Sequence, residues 1–81
     1  MPTIDLTTSK DPARVLKNAT EPNINPKGTW LIYHIGDYAD AINTKPVGRT
    51  AWDLAQSGRV RLFQKVIEQE PRKYAYIAEL V

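Results

Sequence analysis

The sequence contains no cysteine, one histidine, one phenylalanine and no apolar run near the length needed to cross a membrane. Without cysteine there can be no disulfide, no thiolate metal site and no cysteine nucleophile. His34 has no second imidazole or carboxylate at ligand or catalytic spacing, so it reads as a packed or hydrogen-bonded side chain. The four glycines are scattered and form no phosphate-cradling loop. Asp37 and Asp40, three residues apart, read as a helix cap and a solvated carboxylate rather than an acid–base couple. These absences argue against an enzyme: no catalytic residue, metal ligand, cofactor or small-molecule substrate is expected.

The first residues, Met1-Pro2-Thr3-Ile4-Asp5, carry neither a basic start nor an apolar stretch, so they do not read as a secretory signal. A secreted domain of this size would ordinarily rely on disulfides. The expected location is cytoplasmic, with no membrane association.

What is present suits one small domain. The chain has 81 residues, 42% of them hydrophobic, enough for a single core and too many for wholesale disorder. Net charge is only +2, but its distribution is uneven. Lys45 to Lys73 holds seven basic and three acidic residues, whereas residues 1–44 hold four basic and five acidic. The C-terminal half therefore carries the positive charge, which suggests an anionic partner.

Residues 1–10 are polar and read as a flexible or extended arm, with residues 11–81 forming the domain. Asp11 offers an N-cap with Pro12 at the first helical position. Pro12, Val15, Leu16 and Ala19 then form an apolar stripe on a short helix. Thr20 to Gly28 is a loop by composition. Thr29 to Ile35 is aromatic and β-branched and reads as a buried strand; periodicity alone also fits a short buried helix. Trp30 within it reads as core, because burying an indole removes so much apolar area from water. Asp37 can cap a brief helix through Ala41.

Asn43 or Thr44 can cap the next helix, with Pro46 in its first turn. Val47, Thr50, Ala51, Leu54 and Ala55 make a stripe at helical spacing, and Gly58 is suited to a left-handed C-terminal position. After Gly58 the period falls to two. Val60, Leu62, Gln64 and Val66 alternate with Arg61, Phe63, Lys65 and Ile67. Tyr74, Tyr76, Ala78 and Leu80 alternate with Ala75, Ile77 and Glu79. The polar run Glu68 to Lys73 lies between them, so the pair reads as a hairpin.

The order helix-strand-helix-helix-strand-strand resembles the winged helix-turn-helix family, an α+β fold with a C-terminal hairpin wing. The resemblance is closest from Val47 to Leu62, where Leu54, Gly58 and Val60 match the passage from recognition helix to first wing strand in bacterial repressors. Tyr74-Ala75-Tyr76 resembles the return strand. Small regulators of phages and mobile elements are similar in outline. The resemblance implies a transcriptional regulator binding double-stranded DNA, with helix 46–57 in the major groove and hairpin 59–80 beside the backbone. On the helical wheel, Arg49 and Gln56 lie off the buried stripe and suit guanine and adenine edges. Thr44 and Lys45 at the helix start can meet phosphates, as can Arg61, Lys65, Arg72 and Lys73 along the hairpin. Trp52 and Asp53 share the helix's solvent side and suit a protein interface better than a groove. The alternative is therefore an interaction module gripping a host protein. A homodimer joined through exposed strand edges, at Thr29–Ile35 or Tyr74–Leu80, is a third expectation.

Overall fold

A computed structural model describes residues 2–37 and 45–81. The chain is a small α+β domain. Its described elements are β1 (Thr3–Asp5), α1 (Pro12–Ala19), β2 (Trp30–Gly36), α2 (Pro46–Gln56), β3 (Val60–Gln69) and β4 (Arg72–Leu80). The strands form one mixed sheet in the order β1-β2-β4-β3. The first pair is parallel and the other two pairs are antiparallel.

Both helices cover the same face of this sheet. Leu16 of α1 and Val47, Ala51 and Leu54 of α2 are buried with Leu31, Tyr33, Val60, Tyr76, Ala78 and Leu80 of the strands. Strand alternation explains the set: every second residue of β3 and β4 points inward, from Val60 and from Leu80. Helix α2 buries the stripe read from its sequence. Its N-cap, however, is Lys45, which makes no side-chain capping bond. The candidate caps Asn43 and Thr44, and the brief helix proposed after Asp37, lie outside the described residues.

Gly58 turns the chain from helix to strand. Its φ is +79°, its N–H donates to the Ala55 carbonyl, and the next N–H, of Arg59, donates to Leu54. This pair of bonds closes a helix through a left-handed residue. The chain then enters β3 at Val60 with its side chain in the core.

Four expectations are corrected. The arm at residues 1–10 contains a strand: β1 runs beside β2, the Leu6 N–H donates to Ile32, and Leu6 is buried. Ile4 and Leu6 supply the apolar contacts that hold it, a signal too short to register as a periodic run. On α1, Leu16 and Ala19 of the expected stripe face the core, but Val15 is exposed and Ala13 packs inward instead. The hairpin turn is Glu70-Pro71 alone, because the strands continue through the polar residues on either side of it. Finally β4 is an interior strand, paired with β2 and β3, so Tyr74–Leu80 offers no edge for a dimer, whereas β2 is paired with β1 only over Trp30–Ile32. The edges are β1 and β3.

Candidate nucleic-acid interface

The outer side of α2 follows from its inner side. Val47, Ala51 and Leu54 anchor the helix, so residues at 100° steps away from them must meet solvent. Arg49, Trp52, Asp53 and Gln56 are all exposed, as is Lys45 at the helix start. Trp52 is 57% exposed, unusual for the largest apolar side chain. Among the described residues, neither Arg49 nor Asp53 is held in an ion pair. The side chains of this stripe are therefore available to a partner.

The hairpin divides its charges between two faces. Val60 and Leu62 lie against the helices, so Arg61, Phe63 and Lys65 point to the opposite face of the sheet. There Arg61 pairs with Glu79, and the Glu79 carboxylate also accepts from Trp30 Nε1 at 3.1 Å. The Trp30 bond, followed by the Arg61 contact, holds the Glu79 carboxyl below its usual range. Lys65 Nζ lies 5.5 Å from the Trp30 ring centre, and Arg61 lies 5.8 Å from that of Phe63. Arg72 and Lys73 follow the turn at the tip, where Lys73 stands 3.9 Å from Glu68.

Of the residues singled out from sequence, the fold gathers Lys45, Arg49, Gln56, Trp52 and Asp53 on α2 and sets Arg72 and Lys73 at the hairpin tip. Arg61 and Lys65 are not brought to that surface; they belong to the far side of the sheet. Thr44 lies outside the described residues. Trp30, expected in the core, is half-buried on the far face, edge-on to Phe63 with centroids 5.0 Å apart. Its position was hidden because only strand register decides which side of β2 meets the helices.

A hollow of about 440 Å³ lies between the starts of α1 and α2 and is lined by Lys10, Tyr33, His34 and Lys45 among others. It brings Lys10 and Lys45 to the lining of one hollow across 35 positions of sequence, which no local pattern announces. Burial, and secondarily Tyr76, pushes the Tyr33 hydroxyl up to about 12. His34 stacks edge-on against Tyr76, with centroids 5.3 Å apart. Among the described residues no cluster of histidine and carboxylate side chains is arranged to hold a metal ion, and no helix is long and apolar enough to cross a membrane.

No family model, no curated protein and no solved structure matches this chain.

Proposed function

We propose that this chain binds double-stranded DNA as a helix-and-wing protein, with α2 in the major groove and the β3–β4 tip beside the backbone, and that it serves as a small regulator. One observation carries this reading: α2 presents Lys45, Arg49 and Gln56 along a solvent-facing stripe while its other side anchors the helix to the sheet. Arg49 and Gln56 lie seven residues apart, about 10 Å along the axis, so both can meet base edges within one groove. Lys45, Arg72 and Lys73 supply phosphate contacts. Arg61 and Lys65 are left out of the contact set, because the sheet separates them from α2.

The test is fluorescence anisotropy with random duplex DNA across a salt series. At most four cations contribute, so log K should fall against log salt with a slope of about −3 to −4. Arg49→Ala should weaken binding, and Lys65→Ala should leave it unchanged. No binding at low salt, or a slope near zero, defeats the reading.

The exposure of Trp52 beside an unpaired Asp53 favours a second reading, a protein-interaction module of the same shape. In that case Trp52→Ala abolishes capture of a protein partner while leaving folding intact. A variant that keeps every partner rules Trp52 out as the anchor.

A further inference from the structure

The helices cover one face of the sheet and leave the other to solvent. On that outer face three rows cross the strands. The first is Thr3, Trp30, Glu79, Arg61; the second is Asp5, Ile32, Ile77, Phe63; the third is Ile35, Ala75, Lys65. Its middle is apolar. Ile77 is 1% exposed beneath Trp30, Ile32 and Phe63, and Ile35 is itself exposed. This apolar surface lies outside the helix-side core.

The charges of the face fall into a pattern. Arg61 and Glu79 neutralise each other, as do Lys73 and Glu68. Among the described residues that strand pairing places on this face, what remains is Lys65 on β3, its Nζ 5.5 Å from the Trp30 ring centre, and Asp5 on the β1 rim. Asp5 accepts from the Thr7 N–H at 2.8 Å and the Thr7 hydroxyl at 2.6 Å. These bonds fix the carboxylate and hold its pKa below the ordinary value. A face with no net charge and a fixed carboxylate at one edge is a poor surface for nucleic acid. It is self-complementary, because a twofold axis parallel to the strands lays the β1 rim of one copy over the β3 rim of the other.

We infer that the outer sheet face is the contact surface of a homodimer, packed sheet on sheet, with Asp5 of each copy facing Lys65 of the other. Stacked sheets lie about 10 Å apart, which leaves room for Trp30, Ile32 and Phe63 to interdigitate with their counterparts. Four strands of about seven residues give a footprint of roughly 450 Å² per copy. The total is about 900 Å², in the range of weak, transient interfaces, so only a weak dimer is expected. In such a dimer the two α2 helices lie on opposite outer sides of a four-layer assembly. They point away from each other, so the dimer cannot place both in adjacent grooves of one straight duplex and would bridge two duplexes instead.

Sedimentation of the full chain across a concentration series tests the interface. Wild type should shift from monomer to dimer, and less so at high salt. Asp5→Lys and Lys65→Asp should each weaken the dimer about tenfold by placing like charges opposite one another. The double variant should recover most of the loss, since it restores opposite signs. Both positions are exposed, and circular dichroism checks that each variant is folded. A wild type that stays monomeric to about 1 mM overturns the inference. So does a dimer indifferent to both single substitutions, which would assign association to another surface such as the β3 edge. Failure of the double variant to recover overturns it too. None of these outcomes depends on whether α2 binds DNA.

Discussion

Replacing Gly58 with alanine should destabilise the protein without disturbing any packing. Gly58 has φ +79°, and a Cβ built there meets no heavy atom within 4 Å. The cost is therefore conformational alone. Holding an L-residue in the left-handed region costs about 1–2 kcal/mol. Alanine also restricts the unfolded chain, which offsets about 0.4–1 kcal/mol. The net loss should be about 1 kcal/mol, a fall in Tm of roughly 4–8 °C for a domain of this size. Asparagine, which tolerates the left-handed region, should lose less than alanine, and valine more. Urea denaturation followed by the fluorescence of Trp30 and Trp52 measures the effect, and an unchanged m-value shows that the same two states are compared. Gly28 is a matched control, with φ +89° and an equally empty surrounding, but it lies in a loop rather than between helix and strand. The reasoning fails if Gly58→Ala is neutral, or if asparagine is as damaging as valine.

Other expectations follow from burial and charge. Leu31 is fully buried between the helices and the sheet, so Leu31→Ala should cost about 3–4 kcal/mol in the same denaturation experiment. Burial pushes the Tyr33 hydroxyl up to about 12 in the folded protein. A raised acid loses nothing below the unfolded value and becomes a liability above it, so stability should fall between about pH 10 and 12 by as much as about 3 kcal/mol, and Tyr33→Phe should remove that part of the loss. Glu79 shifts the other way: its stabilising contribution is complete above the unfolded carboxylate value and drains away as pH falls through the lowered folded one. Acid unfolding of Glu79→Gln should accordingly be less steep than that of wild type; equal steepness would place the acid sensitivity elsewhere.

The sequence determined the local elements because their causes are local. Helix α2 and the β3–β4 hairpin were legible from a change of period at Gly58, since 3.6-residue and two-residue spacing each bury one side of a single segment. The exposed side of α2, with Arg49, Trp52, Asp53 and Gln56, came with that reading, because fixing the buried stripe of a helix also fixes the remainder. The tertiary structure decided everything that depends on pairing between distant segments. β1 has only three residues and is held by β2 and by the core positions of Ile4 and Leu6, which no window of its own sequence reveals. Register, not composition, sent Trp30, Arg61 and Lys65 to the side of the sheet away from α2. Alternation states that two faces exist, but only the docking of the helices chooses which of them becomes the core. That choice separates a basic hairpin read as one surface into an exposed tip and an outer face of aromatic rings with opposite charges on it.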